Sequence, residues 1–552
     1  MGKALLINPS TTRTYGANEG GIAFPVVPVL GLASVAGAIR DAGHEVRILD
    51  LSYQTYDPSV IRQVLIDEAP DIVGVTCTTP LMNQARDISY LVDEVAPATV
   101  SVVGGSHPSA LPARSLFESR FTHVAAGEAD FTIARLLDGE DPRSVPGLWC
   151  RREGAGVDVA VAPGVGGRLL DDLDDLPLPA WELYPRGVND HVTRFVARRT
   201  PMTVVEFSRG CIYGCDFCAS KNTLGRGYRK KSPERCADEL LRLASLGFRE
   251  ALLVDDIFTT DNVWAAAVCE AIIRSGVDLA WTCSNGIRVD SADPELFHLM
   301  RRAGCYRVYF GFESGSDDVL KAFGKGGRAS VSQGREAAKL ARRAGMETDG
   351  FFMVGLTGDT EESMEATIDF ARTVPLDTMK CGMCVPFPGT PMFQSLHVEG
   401  HIKTYDWDSY TVYNKADEIF THPTVSWAAV RRAFRRFYVR VLVLNPSYLR
   451  RRLVFTVRHR EVWLTVRNLA RFWILIWGRG KPPAEESYAY ESVWRALDAE
   501  AGDDLSSQPV LVVRRTGTKG GRRHQARPGA SEEPAVVRGS RSAHLPGSAV
   551  SE

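Results

Sequence analysis

The sequence predicts an α/β protein made of two successive strand–helix alternations, followed by a helical region and a disordered tail. Three observations predict it. Short β-branched runs alternate with amphipathic helical stretches over residues 1–141, the alternation restarts at residue 201 and runs to 390, and the last 48 residues, from Leu505, hold no Phe, Tyr or Trp. The 552 residues are 44% hydrophobic and 24% charged, an ordinary make-up for a folded soluble protein. A formal net charge of −2 argues against a dedicated nucleic-acid binder.

In the first alternation the strand candidates are Ala4–Asn8, Glu45–Asp50, Ile72–Thr76, Val100–Val103 and His123–Ala125. Helical patterns at Val29–Ala42, Ser59–Glu68 and Leu81–Val95 separate them. Apolar strands alternating with helices form a parallel sheet covered on both faces, whose ligand site lies at the strands' C-terminal ends. The loops Pro9–Gly16, Thr76–Asn83 and Gly104–Pro112 land at that crest. There Gly104-Gly105 lets backbone approach a ligand with no Cβ in the way.

Residues 142–200 read as an irregular linker. Its stretch Asp171–Pro185 holds five acids and three prolines and is expected to pack loosely.

In residues 201–390 strands are expected at Thr203–Phe207, Ala251–Asp255, Leu279–Cys283, Tyr306–Gly311, Thr348–Val354 and Thr378–Met383. Ser232 as N-cap, Pro233 at the first helical position and Gly247 just past the end punctuate the first intervening helix. Six such units make a partial barrel with its chemistry on loops at the strand C-termini. Residues 391–504 read as helical, and 505–552 as the tail. Between Trp427 and Gly480 stand 13 arginines, no lysine and one acid. Within that stretch Val462–Gly480 is apolar and tryptophan-rich but too short and too charged to span a bilayer. It reads as a helix closing the barrel mouth, with peripheral contact to an anionic membrane surface as the other reading. Lys3–Asn8 reads as a strand rather than an export signal. Eleven cysteines, an odd number, are therefore expected reduced in a cytoplasmic protein.

The sharpest feature is Cys211-Ile-Tyr-Gly-Cys215-Asp-Phe-Cys218, directly after the first strand of the second alternation. Three thiolates in eight residues can wrap one face of a 4Fe–4S cube and leave its fourth iron open. Structural zinc would want a fourth ligand, and no matching His or Cys pair stands nearby. Cys381-Gly-Met-Cys384 could be a redox pair, but small buried residues at the sixth strand explain it more simply.

The CxxxCxxC spacing of Cys211, Cys215 and Cys218, with Phe217 before the last, resembles the radical S-adenosylmethionine (radical SAM) enzymes. The segments Leu252–Thr260, Trp281–Arg288, Val308–Ser316 and Met353–Glu361 look like barrel-strand motifs of one subgroup, in which a cobalamin-binding domain precedes the barrel. Val102–Pro112, Ala126–Glu128 and the linker motif LPLPAW look like that domain. The resemblance implies a Rossmann-like sheet of the cobalamin-binding type ahead of a (β/α)6 barrel, with a 4Fe–4S cluster, S-adenosylmethionine and cobalamin as cofactors. It implies that Cys211, Cys215 and Cys218 hold the cluster. Phe217, Asp255, Asp256, Glu313, Gly355 and Gly358 would face S-adenosylmethionine, and Thr76, Gly104, Gly105, Ser106 and Glu128 would face cobalamin. The signature DxHxxG, whose His coordinates cobalt, is absent. Asp41-Ala-Gly-His44 has the wrong spacing, so a corrinoid would bind without a histidine ligand.

The activity this implies is methylation of an unactivated carbon in a small natural-product or lipid-like substrate, driven by a 5′-deoxyadenosyl radical, methylcobalamin and an external one-electron reductant. Ring closure or oxidative rearrangement on the same cofactors is the alternative. Arg431–Arg452 resembles the tail of cyclase- and hopanoid-type members. A methylthiotransferase would need a second cluster's cysteines, and here Cys77 and Cys150 stand alone. A non-catalytic corrinoid or iron–sulfur sensor would need an output domain.

Overall fold

The computed structural model describes residues 1–11, 14, 27–52, 54–154, 157–161, 169–185, 197–325, 329–412, 416–458 and 510–514. Val462–Gly480 and half of the Pro9–Gly16 loop lie outside the described residues.

The N-terminal sheet begins with five parallel strands: β1 (Lys3–Asn8), β2 (Glu45–Asp50), β3 (Ile72–Thr76), β4 (Val100–Gly104) and β5 (His123–Ala125). Helices α1 (Leu30–Asp41), α2 (Pro58–Glu68) and α3 (Met82–Val95) cross between them. The apolar runs of β1, β3 and β4 are buried along nearly their whole length, as strands covered on both faces must be.

Two corrections concern this sheet. Residues 142–200 are not wholly irregular: β6 (Leu148–Gly154) and β7 (Val157–Val161) form an antiparallel hairpin on β5. In the expected tail, Val510–Leu511–Val512–Val513–Arg514 forms an antiparallel edge strand on β7, so the sheet has eight strands in the order 510–514, β7, β6, β5, β4, β3, β1, β2. A run of β-branched and apolar residues suits a ladder and outweighs the polar composition around it.

The stretch 171–185 packs tightly, not loosely. Leu173, Leu176, Ala180, Trp181 and Tyr184 are buried. The Ala180 N–H donates to Ala33 O at 2.8 Å, and the Tyr184 hydroxyl donates to Asp50. A Cβ on Gly37 of α1 would stand 2.5 Å from Leu178 O. Apolar side chains spaced between the acids give this segment a buried face that a count of prolines and charges does not reveal.

The second half is a six-stranded parallel sheet in strict sequence order: β8 (Met202–Val205), β9 (Glu250–Leu253), β10 (Ala280–Ile287), β11 (Cys305–Glu313), β12 (Glu347–Val354) and β13 (Thr378–Met383). The helix Pro233–Ser245 follows β8 as its punctuation predicts, with the Ser232 hydroxyl accepting from the Arg235 N–H and Gly247 at φ +90°. Outward-facing aromatics bind the strands to their helices: Phe310 meets Phe297, and Phe312 and Phe352 meet Phe370.

After the barrel the chain reaches back to the first domain. Trp407, 1% exposed, donates from its indole to Glu118 at 3.0 Å and packs edge-on against His107. Helices Trp427–Phe437 and Pro446–Arg458 follow. Arg431, Arg432, Arg436 and Arg440 in this region pair with acids of the body. Among the described residues no helix is long and apolar enough to cross a membrane.

Candidate functional site

The cysteine loop leaves β8 through Gly210, at φ +87°, where a Cβ would stand 2.2 Å from Gly227 O, so only glycine fits the turn. Cys211, Cys215 and Cys218 are half-buried and free. Burial pushes the Cys211 thiol up to about 11 and Cys215 to about 12, and raises Cys218 as well. The Asp256 carboxylate adds to the shifts of Cys211 and Cys218, and that of Glu313 to Cys215 and Cys218. The loop is pinned by Asp216 N–H to Phe323 O (2.9 Å) and Met392 N–H to Asp216 O (3.1 Å). Arg288 lies 3.5 Å from the Tyr213 ring centroid while paired to Asp290.

Among the described residues no three His, Cys, Asp or Glu side chains converge on a single-ion position. A 4Fe–4S cube takes its thiolates at separate corners. Three free, half-exposed thiols on one loop, with Cys218 close enough to both others to interact, fit a cube better than an ion.

A cavity of about 420 Å³ lies between the sheet's crest and the barrel mouth. Thr76, Gly104, Gly105, Ser106 and Glu128 line it from the sheet, and Glu206, Arg209, Ser220, Thr223 and Asp256 from the barrel. At Gly105, φ +108°, a Cβ would stand 2.5 Å from Cys77 O, so the close turn at the crest depends on its absence. Leu6, Leu30, Val35, Val75 and Ile133 supply an apolar inner wall. A crest that turns on two glycines over an apolar slot fits a large, flat cofactor whose arm ends in an aromatic group.

Several residues expected to face ligands have further tasks. The Glu128 carboxylate is taken up by barrel arginines: Arg229 donates to both its oxygens at 2.8 Å, Arg209 at 3.3 Å, and the Leu170 N–H at 2.8 Å. It lines the cavity, but its charge joins the two domains. Asp255 is buried under the strand end, where it accepts from the Phe207 N–H (2.7 Å) and the Ser208 hydroxyl (2.5 Å) and is pushed up to about 7 by burial. Asp256 faces the cavity and accepts from the Ser220 hydroxyl; burial raises it too. Glu313, at φ +57°, pairs with Lys325 beside the cysteines. Phe217 meets Phe323 edge-on. Gly355 and Gly358 do not reach the cavity: their missing Cβ atoms make room for Val430 and Ala322. His44 is held between the Gly2 N–H and Asp138, each at 2.9 Å.

The residues missed in the sequence are those joining the halves. Arg209 donates to Asp130 at 2.8 and 3.0 Å and to Glu206 at 2.6 Å, and Ser34 donates to Asp130 at 2.5 Å. Burial works against the Asp130 carboxylate, but Arg209 outweighs it and holds Asp130 below the usual range. Glu206 is raised by burial despite the same arginine. Asp130 stands two residues after the quoted AGE motif and Arg209 two before Cys211, so both were in view but nothing linked them.

The chain matches the family model of the radical SAM superfamily over residues 205–371 and that of the B12 binding domain over 23–137. It is 31% identical over 450 residues to an uncharacterized methyltransferase of Pyrococcus horikoshii, covering 80% of this chain and 94% of that one. It is 28% identical to the cytidylyl-2-hydroxyethylphosphonate methyltransferase of Streptomyces wedmorensis (72% and 82% covered). It is 27% identical to the anaerobic magnesium-protoporphyrin IX monomethyl ester cyclase of Cereibacter sphaeroides (75% and 67%). Among solved structures it resembles the radical S-adenosylmethionine methyltransferase TsrM of Kitasatospora setae, with cobalamin and a 4Fe–4S cluster bound, at TM-score 0.60, 21% identity and 72% and 78% coverage. It also resembles the cobalamin-dependent radical enzyme OxsB at TM-score 0.64, 17% identity and 86% and 72% coverage.

Proposed function

The chain belongs to the cobalamin-dependent radical S-adenosylmethionine enzymes, and we propose that it methylates an unactivated carbon of a small natural-product or lipid-like substrate. The observation that carries this reading is the cavity itself, which sets the crest Gly104–Ser106 against Asp256 and Ser220 at the barrel mouth. When bound, the cluster and S-adenosylmethionine supply hydrogen abstraction, and the corrinoid supplies a methyl group.

The protein's own groups give that chemistry its place. Cys211, Cys215 and Cys218 would hold the cluster, and Asp256 and Glu313 flank it where the ammonium end of S-adenosylmethionine would find counter-charge. Thr76 and Gly104–Ser106 would carry the corrinoid over the apolar slot. The apolar wall excludes water from a reaction that water would quench. The ion pairs of Arg209 and Arg229 fix the crest against the barrel.

The test is anaerobic reconstitution with iron, sulfide and hydroxocobalamin, then incubation with S-adenosylmethionine and a reductant. Methyl transfer requires both 5′-deoxyadenosine and S-adenosylhomocysteine; 5′-deoxyadenosine alone would overturn it. The similarity to the Cereibacter cyclase favours ring closure as the second reading. Product mass separates the two, since only methylation adds a carbon.

A further inference from the structure

The barrel has an open interior that none of the residues discussed so far explains. Along β12, Phe351 and Met353 are partly exposed while Gly350, Phe352 and Val354 are buried. Along β13, Thr378, Lys380 and Gly382 are accessible while Met379, Cys381 and Met383 are buried. The buried set packs outward, with Phe352 on Phe370 and Phe437 and the Cys381 N–H on the Tyr438 hydroxyl. The accessible set therefore lines a lumen. Cross-strand register puts Gly311, Phe351 and Lys380 in one row. Tyr309 and Asp349 lie one row deeper, and Glu313, beside Cys215, lies nearer the mouth.

Lys380 is the anomaly of this lumen. The other cations along it are paired, Arg307 with Glu347 and Lys325 with Glu313. The Lys380 ammonium has no hydrogen bond or ion pair among the described residues and lies 6.0 Å from the Phe351 ring centroid. Its side chain is exposed and lies on the face of β13 opposite the buried Met379, Cys381 and Met383. A second observation lies directly behind it. Asp349, 5% exposed, has a buried Oδ1 with no partner. Burial lowers the basicity of Lys380, Asp349 opposes that shift and Arg307 adds to it. Asp349 thus offsets part of the burial from a distance, without a hydrogen bond or ion pair to the ammonium. Phe351, stacked on Tyr309 at 5.5 Å and 20°, offers a flat apolar wall on the same row.

We propose that Lys380 is the substrate's anchor and that the substrate is an organic anion, a carboxylate or phosphoryl group carried on a flat apolar body that rests against Phe351 and Met353. An ammonium without a partner on the inner face of the barrel gains most from a charged acceptor, since charge-assisted hydrogen bonds are the strong ones. An aromatic wall next to it rewards a planar body. This assignment rests on the reading of the barrel as a radical enzyme acting on a small molecule.

The reconstituted holoenzyme is titrated calorimetrically with 2-naphthoate and with its uncharged methyl ester, using wild type, Lys380→Met and Lys380→Arg. The wild type is expected to prefer the acid by about tenfold or more, K380M to lose that preference and K380R to keep it. In a second measurement, acetic anhydride labelling of Lys380 in the wild type is expected to be slowed by the acid and not by the ester, which holds even if K380M fails to fold. Equal binding of acid and ester, no binding of the acid, a preference that survives in K380M, or unprotected Lys380 would overturn the assignment. Formation of 5′-deoxyadenosine by the same wild-type preparation tests the underlying reading separately, so its failure is distinguishable from a wrong anchor.

Discussion

Replacing Arg209 by methionine removes the guanidinium that joins the sheet to the barrel and leaves its carboxylates in place. Arg209 makes four hydrogen bonds of 2.6 to 3.3 Å to Glu206, Glu128 and Asp130. All four side chains are less than 10% exposed. Glu128 keeps Arg229, and Asp130 keeps the Ser34 hydroxyl, but Glu206 loses its hydrogen-bonded cation. Breaking a buried ion pair from one side typically costs about 3–5 kcal/mol, because a charge is left without a partner. Arg209→Met is therefore expected to destabilise the chain by that amount. Asp130→Asn in the same background should return about 2 kcal/mol, since it removes one of the stranded charges. Thermal and urea unfolding of the two single variants and the double variant measure the coupling. Because these contacts cross between the domains, the wild type is expected to unfold in one transition and R209M in two. A loss below 1 kcal/mol, or additive single effects, would refute the idea that this cluster fixes the two crests.

Three further outcomes follow from the site. Cys211→Ala, Cys215→Ala or Cys218→Ala should each abolish retention of four irons after reconstitution and desalting, whereas Cys381→Ala should not; equal iron in all four variants would contradict the assignment of the loop. Gly105→Ala forces a Cβ to 2.5 Å from Cys77 O at φ +108°, so it should cost about 2 kcal/mol and release corrinoid on gel filtration while iron is retained. Asp255, pushed up to about 7 from 3.8, binds its proton more tightly folded than unfolded. Its contribution is full below about pH 4 and is lost as the pH rises through 7, up to about 4 kcal/mol. Asp255→Asn should flatten the stability profile across that window, and parallel profiles for variant and wild type would show that another group titrates there.

Most strand positions were legible because their signal is local. β2, β3, β5 and β13 lie at the residues expected of them, and the Ser232–Pro233 cap marks the start of its helix to the residue. The cysteine loop was legible because three ligands of one cluster fall within eight residues. What escaped depends on partners far along the chain. Arg209 and Asp130 are 79 residues apart, and each alone looks like any surface charge. Lys380 was unreadable for another reason: its neighbours Cys381 and Cys384 drew attention to the strand, while its meaning lies in which face of β13 looks into the lumen. Glu128 shows the limit of carrying a role over by motif, since a residue can stand at the crest and spend its carboxylate on the opposite domain.

The packed segment 171–185 has a consequence for how such enzymes diversify. With Ala180 bonded to Ala33 and Tyr184 to Asp50 on one side, and Asp174 and Leu176 accepting from the Ser232 N–H and the Arg235 guanidinium of the barrel on the other, the connector works as a ruler and not as a leash. The gap between crest and mouth is then written into the chain, and turnover cannot proceed by the two halves swinging apart on a hinge there. Substrates must come and go past fixed walls. A chimera that exchanges the N-terminal domain with a relative's should work only when residues 171–185 travel with it, because the measure of the gap is cut to fit one particular α1.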